Sequence, residues 1–181
     1  HLPEDLKFFK EVTKNHTIVM GENTFFSLPG VLPNRKHIVL SKSEKEFPDE
    51  VIVYNDFNKF LEDYKESTED IYVIGGGMIY KELLPFCERV YITKVLHAYE
   101  DVDTYFPNID EMPEWEMTSA SEVKEHNGIQ YQFCVYDRVD YEIISAVAPD
   151  IPKYSDTDLI VTVKTFNGTK TVVVRVDDNH L

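Results

Sequence analysis

The feature that most constrains this sequence is a run of three glycines, Gly75-Gly76-Gly77, between two apolar segments. The segment before it, 71–74, is short and rich in β-branched and aromatic residues, which predicts a buried strand. The segment after it, 78–84, has apolar residues at helical spacing. A strand, a glycine turn and a helix bring free backbone N–H groups and the positive end of a helix together, where a phosphate can bind. Because a plain strand-to-helix turn uses the same residues, the glycines alone leave both interpretations open.

Composition excludes several classes of partner. The chain of 181 residues has a formal net charge of -15, which argues against binding to nucleic acid or to an anionic membrane surface. No apolar stretch has the length of a membrane span. Cys87 and Cys134 lie far apart and lack metal-ligand spacing, so we predict no metal site and expect reduced thiols in a cytoplasmic protein.

Predicted strands and helices alternate through the first half of the chain. The predicted strands are 17–20, 37–41, 51–54, 71–74 and 90–93. This alternation indicates an α/β fold with parallel strand pairing and helices on both faces of the sheet.

After Trp115 the pattern changes to antiparallel strands. Asn127-Gly128 is a hairpin signal between 118–123 and 131–136. Asn167-Gly168 is a second one, and the apolar alternation around it predicts a hairpin near the end of the chain.

Two charged side chains are candidates for binding or catalysis. Asp5 follows Pro3 at the start of a predicted helix and is near Phe8 and Phe9. A carboxylate in an apolar pocket can donate or relay a proton, whereas one at a helix start can simply interact with the helix dipole. Arg35 follows a Pro-Asn turn, where it could clamp a carboxylate or lie on the surface in solvent.

Polar residues also follow two predicted strands at the edge where α/β folds bind ligands. Thr24 and Ser41 occupy these positions, and Lys42 adds positive charge for a phosphate. Thr93 lies on a strand, where it could hydrogen-bond to a buried polar group or reflect strand propensity alone. Four histidines show no pattern with acids or cysteines and are predicted to be surface or loop residues: His16, His37, His97 and His126.

Taken together, these segments resemble the dihydrofolate reductase family in order and spacing from His1 to about Arg138. The matching segments are 2–9, 18–21 with Thr24-Phe25, 32–35, 38–41, 73–77 with Ile79-Tyr80, 91–93 and 103–107. The resemblance implies a three-layer α/β fold with a mostly parallel central sheet, helices on both faces and a C-terminal antiparallel hairpin. It also implies reduction of dihydrofolate to tetrahydrofolate by hydride transfer from NADPH, a step of folate and one-carbon metabolism, and binding of antifolates.

The resemblance assigns roles to individual residues. Asp5 matches the acidic residue that anchors the pterin and promotes its protonation, with Thr93 hydrogen-bonded nearby, and Arg35 matches the clamp on the substrate's α-carboxylate. The apolar lining of the pterin and benzoyl group matches Phe9, Leu28 and Leu32. The cofactor cradle matches Ile74, Gly75, Gly76, Gly77, Met78, Ile79 and Tyr80. The other side of the cofactor matches Gly21, Thr24, Ser41 and Lys42.

One departure from the family falls in the cofactor site. The family usually has an arginine after the glycine that ends this strand, whereas Gly21 is followed by Glu22. An acid there is expected to weaken phosphate binding unless Lys42 compensates, so we predict that Glu22→Arg tightens NADPH binding.

The other departures lie at the two ends of the sequence. The family's first strand and mobile loop precede the segment that begins here at His1, and a chain without them is expected to fold poorly alone. Residues 1–138 therefore form a predicted reductase-like domain, and 139–181 form a β-rich extension. Three explanations remain open: residues 143–148 replace the missing strand in a permuted order, the extension is an appended β-hairpin module with a separate role such as binding or assembly, or a partner chain supplies the strand. Self-association through the extension is a further possible interaction.

The departures also leave a second function open. Intact Asp5, Arg35, Thr93 and the glycine run favour an active reductase. The missing loop and Glu22 favour a non-catalytic binding or assembly protein on a rearranged reductase scaffold.

Overall fold

A computed structural model describes residues 2–96, 108–147 and 158–175 of the chain. These residues divide into two compact units, one containing 2–86 and the other containing 87–96, 108–147 and 158–175. None of the helices in the described segments has both the length and the apolar character needed to cross a bilayer.

The first unit combines four short helices with four strands. The helices are α1 (Pro3–Thr13), α2 (Glu22–Ser27), α3 (Phe57–Tyr64) and α4 (Gly77–Leu83), and a 3-10 turn, Leu84–Phe86, follows α4. The strands are β1 (Thr17–Gly21), β2 (Lys36–Leu40), β3 (Val51–Tyr54) and β4 (Ile71–Gly75). All of them pair in parallel in the order β3-β2-β1-β4, which confirms the predicted parallel sheet.

β1 lies inside this sheet and is covered on both faces. Ile18 and Met20 pack with Phe25 of α2, while Val19 on the opposite face packs with Phe60 of α3 and Leu83 of α4. The predicted placement of helices on both faces is therefore confirmed within this unit. The pairing of β1 with β4 shifts register after Val19, so that Met20 lies opposite Gly75 and the glycine turn begins at the end of β1.

The second unit is built from antiparallel strands. They are β5 (Arg89–Val95), β6 (Trp115–Ala120), β7 (Lys124–His126), β8 (Ile129–Arg138), β9 (Glu142–Val147), β10 (Asp158–Thr165) and β11 (Gly168–Arg175), and a 3-10 turn, Ile109–Glu111, precedes β6. β8 lies between β5 and β6 and also pairs with β7 through the predicted Asn127-Gly128 turn. Both cysteines have free thiols: Cys134 is buried in β8, and Cys87 is half-buried.

The last three strands form a separate sheet in the order β11-β10-β9, which we call the tail sheet. Thr165 pairs with Gly168, so the loop of the predicted hairpin consists of Phe166 and Asn167, one residue earlier than an Asn-Gly turn would place it. One face of the hairpin is buried through Val161, Val163 and Val172. The hairpin is also tied to β6 by polar contacts, because Asn167 Nδ2 donates to Glu116 Oε2 at 3.1 Å and Lys170 Nζ donates to the Trp115 carbonyl at 2.6 Å.

The pairing of β9 contradicts the hypothesis that 143–148 replaces the family's first strand in the parallel sheet. The described part of this segment, 143–147, pairs with β10. Every residue of β9 is exposed, whereas a strand inside a parallel sheet is buried on both faces, as β1 is. The apolar run was a correct signal for a strand, but it did not indicate which sheet the strand joins.

Candidate active site

The glycine turn closes tightly against the helix that follows it. Gly75 ends β4 with φ of +118°, and the peptide bond to Gly76 is cis. A Cβ atom on Gly75 would lie 3.1 Å from the Tyr80 ring, and one on Gly76 would lie 3.6 Å from Thr24 Oγ1. The turn therefore requires glycine at position 75, and at Gly76 no side chain lies between the backbone and Thr24.

The end of β1 meets the same helix. A Cβ atom on Gly21 would lie 3.1 Å from Ile79 Cγ1, so a larger residue would press on α4. Most of the predicted cradle residues are thus brought together around one sheet edge. Ile74 is half-buried there, while the side chain of Met78 is 78% exposed.

A small cavity adjoins this edge. Its lining residues come from the ends of β2 and β3 and from α3 and α4: Leu40, Ser41, Lys42, Tyr54, Asn55, Phe57, Ile79 and Glu82. Ile79 also lies beside Gly21, so the cavity and the end of β1 share this predicted cradle residue. The structure therefore brings Ser41 and Lys42, predicted on the far side of the cofactor, to a surface continuous with the cradle.

Glu22 is held firmly by partners that its sequence position did not reveal. Glu22 Oε2 accepts hydrogen bonds from Ser41 Oγ at 2.7 Å and from Ser43 Oγ. Glu22 Oε1 lies 3.9 Å from Lys45 Nζ. The two hydroxyl donors, and less strongly Lys45, lower the pKa of Glu22, so the side chain carries a negative charge at neutral pH.

Asp5 lies half-buried in the first turn of α1, as its position after Pro3 predicted. Burial, together with the charge of Asp5, raises the pKa of Tyr80. This electrostatic effect indicates that the Asp5 carboxylate and the Tyr80 ring share one region of the first unit, the region where Tyr80 also covers Gly75.

Arg35 has buried polar atoms that lack partners. Its Nε and Nη1 atoms are buried, and neither makes a hydrogen bond within the described chain. The guanidinium carbon lies 6.0 Å from the centroid of the Phe9 ring. Burying N–H groups without partners is costly, so such groups mark a place where a ligand can supply the acceptors. This finding disfavours the interpretation of Arg35 as an ordinary surface arginine.

His37 corrects the prediction that the histidines are surface or loop residues. Its ring is buried in β2, where Nε2 accepts from the Leu32 backbone N–H and Nδ1 donates to the Arg35 carbonyl, both at 3.0 Å. Burial lowers the pKa of His37, and the neutral ring suits this pair of bonds. His37 therefore fixes the loop that carries Leu32 and Arg35. Its position inside an apolar strand was the signal that could have revealed this role.

The other two described histidines, His16 and His126, lie in different units. His16 is half-buried with its ring centroid 5.4 Å from that of Tyr72, His126 is half-buried at the β7–β8 turn, and His97 lies outside the described residues. Thr93 lies half-buried on β5 of the second unit, opposite Phe133 of β8.

Leu28 and Leu32 both pack against the core cluster of the first unit that contains Phe25. Within the described residues, no group of His, Cys, Asp and Glu side chains could hold a metal ion.

Comparison with known proteins identifies the family. The family model described as dihydrofolate reductase matches residues 1–138. The dihydrofolate reductase of Bacillus subtilis (strain 168) is 38% identical over 141 residues, covering 76% of this chain and 82% of the relative. That of Aedes albopictus is 30% identical over 167 residues, covering 76% of this chain and 86% of the relative.

A solved structure matches as well. Dihydrofolate reductase from Enterococcus faecalis, complexed with NADP(H) and RAB-propyl, superposes with a TM-score of 0.65 at 32% identity and covers 77% of this chain and 84% of its own. The chain belongs to the dihydrofolate reductase family.

Proposed function

We propose that this protein reduces 7,8-dihydrofolate to tetrahydrofolate with NADPH as the hydride donor. The observation that carries the proposal is Arg35, whose guanidinium has two buried nitrogens without hydrogen-bond partners in the described chain and lies beside Phe9. A planar cation of this kind is suited to a carboxylate, and the family's substrate ends in one. The carboxyl end of the same parallel sheet has the glycine turn that a dinucleotide needs, whereas Arg35 lies just before the amino end of β2.

The residues present fit the cofactor. Gly75 and Gly76 keep side-chain atoms off the backbone of the turn, where a Cβ atom would lie 3.1 Å from the Tyr80 ring or 3.6 Å from Thr24 Oγ1. NADPH, when bound, supplies the hydride. The residues proposed to hold it are Gly21, Thr24, Ser41, Lys42, Ile74, Gly75, Gly76, Gly77, Met78, Ile79 and Tyr80.

The proposed substrate site uses the α1 side of the same unit. Asp5 accepts hydrogen bonds from the N–H groups of the pterin and favours its protonation. The role of Thr93, which lies in the second unit, stays a prediction. Phe9, Leu28 and Leu32 exclude water from the pterin and the benzoyl ring. Arg35 pairs with the α-carboxylate, and His37 holds the loop from which Arg35 projects.

The test is spectrophotometric NADPH oxidation with dihydrofolate, repeated with a dihydropteridine that lacks the carboxylate tail. We expect Arg35→Leu to raise the KM for dihydrofolate by about 100-fold, the effect of losing a bidentate charged pair, and to leave the efficiency with the tailless substrate unchanged. We expect Asp5→Asn to lower kcat by about 10²-fold or more. Lys65→Leu, which removes an exposed cation after α3, is the matched control.

The outcome also decides between enzyme and binding protein. If the wild-type chain binds NADPH and methotrexate, seen as a rise in Tm, but never oxidises NADPH, the non-catalytic alternative holds. Free thiols at Cys87 and Cys134 support a reducing, cytoplasmic location, which is also part of the proposal.

For the C-terminal part we propose an appended module, 139–181, that mediates self-association. Support comes from β9, where Ile143, Ile144 and Val147 are each more than half exposed on a strand with β10 on one side. Sedimentation velocity of the wild type and of Ile144→Asp tests this. A monomeric wild-type chain at all concentrations contradicts it.

A further inference from the structure

The placement of Glu22 has a consequence for the choice of cofactor. Glu22 directly follows β1 and Ser41 directly follows β2, and these strands are neighbours with Gly21 opposite Leu40. The carboxyl ends of adjacent parallel strands form the edge at which α/β sheets bind ligands. The Glu22 carboxylate therefore lies at the ligand edge of the sheet.

Its contacts hold the carboxylate in place. Ser41 is buried and forms part of the wall of the cavity that Lys42 also lines, and its hydroxyl donates to Glu22 Oε2 at 2.7 Å. Ser43 donates to the same oxygen, and Lys45 Nζ is 3.9 Å from the other. A fixed negative charge is thus attached to the cavity wall, and Lys45 is partly neutralised by it.

This arrangement favours a hydroxyl over a phosphate on the adenosine ribose. A phosphate on the adenosine ribose needs hydrogen-bond donors and positive charge. The hydroxyl groups of Ser41 and Ser43 already donate their hydrogen bonds to Glu22. A ribose hydroxyl is itself a donor, and a carboxylate is a good acceptor for it. In dinucleotide-binding sites generally, an acidic residue suits the free 2′-hydroxyl and an arginine suits the 2′-phosphate.

We infer that Glu22 is a specificity-determining residue that weakens the preference for the 2′-phosphorylated dinucleotide and allows NADH to serve as a second hydride donor. This inference rests on the proposed function, in which the ends of β1 and β2 and the glycine turn hold the cofactor. Lys42 and Lys45 keep NADPH acceptable, so the expected behaviour is dual use and not exclusion of the phosphate.

The experiment measures the dissociation constants of NADP+ and NAD+ by calorimetry on the full chain, for the wild type, Glu22→Gln and Glu22→Arg. Glu11→Gln, which removes an exposed carboxylate from α1, is the matched control. We expect the ratio of the NAD+ constant to the NADP+ constant to rise about 10-fold in Glu22→Gln and about 100-fold in Glu22→Arg, mostly through tighter NADP+ binding. The ratio of kcat/KM for NADPH over NADH should follow it.

The possible results separate the inference from the proposed function. If Glu22 only tethers the 41–45 loop, both dissociation constants change together, their ratio stays constant, and the inference is overturned while the proposed function stands. If neither dinucleotide binds to the wild-type chain, the proposed function fails and the inference fails with it.

Discussion

Gly75, at the end of β4, and Gly168, at the start of β11, have nearly the same positive φ, +118° and +119°. Their surroundings differ. A Cβ atom on Gly75 would lie 3.1 Å from the Tyr80 ring, whereas one on Gly168 would meet no heavy atom within 4 Å. Backbone torsion therefore demands glycine in both regions, but only in the parallel sheet does a neighbouring side chain close over the turn. The positive φ therefore explains why glycine occurs at both positions. The side chains around each glycine determine whether the turn can also bind a ligand.

The strongest test of this comparison replaces each glycine with alanine in a separate variant. We expect Gly75→Ala to lower the free energy of unfolding by about 4 kcal/mol, since backbone strain of about 1–3 kcal/mol adds to overpacking of about 1–3 kcal/mol. Gly168→Ala should lose only the strain, about 2 kcal/mol. Urea unfolding measures both, and NADPH should still raise the Tm of Gly168→Ala as it does for the wild type. Equal losses in the two variants would show that Tyr80 does not constrain the turn.

A second comparison sets β1 against β9, two short strands with similar apolar residues. Ile18 has no exposed surface, whereas Ile144 is 55% exposed. We expect Ile18→Ala to cost about 3 kcal/mol through lost burial and a cavity, and Ile144→Ala to stay within about 0.5 kcal/mol. Denaturant unfolding gives both values. These values are for dilute, monomeric protein, and the proposed self-association should add a cost at Ile144 only as the protein concentration rises. A cost at Ile144 as large as that at Ile18 in dilute protein would contradict the comparison.

A third comparison tests how the tail sheet is attached within the second unit. Lys170 Nζ donates to the Trp115 carbonyl at 2.6 Å, whereas Lys164 is an exposed residue of β10. We expect Lys170→Met to cost about 1.5 kcal/mol because that carbonyl loses its charged donor, and Lys164→Met to be close to neutral. Trp115 is the chain's one tryptophan, so its fluorescence reports the change directly. An unaltered emission and stability in Lys170→Met would argue against this attachment.

The smallest expected effect concerns pH and the buried ring in β2. Burial lowers the pKa of His37 from its usual 6.5, so the unfolded chain binds a proton more readily than the folded one. Stability is therefore complete above pH 6.5 and declines as the pH falls below it, by about 1 kcal/mol per unit until the folded pKa is reached. The Tm of the wild type should fall more steeply between pH 7 and 5 than that of His37→Gln. His126→Gln, at the β7–β8 turn, is the matched control.

The sequence was sufficient for the parts of the fold that depend on local pattern. The buried runs at β1 and β2 and the glycine turn after β4 follow from apolar periodicity and turn chemistry, and the parallel order follows from their alternation with helices. The antiparallel turn at Asn127-Gly128 was predicted for the same reason. Candidate residues such as Asp5 and Arg35 needed the family resemblance to be singled out from ordinary surface charges.

What could not be predicted depends on contacts between distant parts of the chain. Nothing near Glu22 in the sequence indicates that Ser41 and Ser43 donate to it, because the two strand ends meet only in the folded sheet. The buried role of His37 is likewise set by the loop that folds over its ring. The sheet that β9 joins depends on which edge is free, and an apolar run cannot specify this.

The order of the parallel strands has a consequence for how quickly the chain can fold. Thr17 of β1 pairs with Ile71 of β4. This sheet therefore cannot close until the long segment between these two residues has been ordered. In the tail sheet Thr165 pairs with Gly168, and the neighbouring pairs grow outward from that loop. Since local pairings form faster than distant ones, the β10–β11 hairpin should be among the first to acquire protection from hydrogen exchange, and β1 among the last.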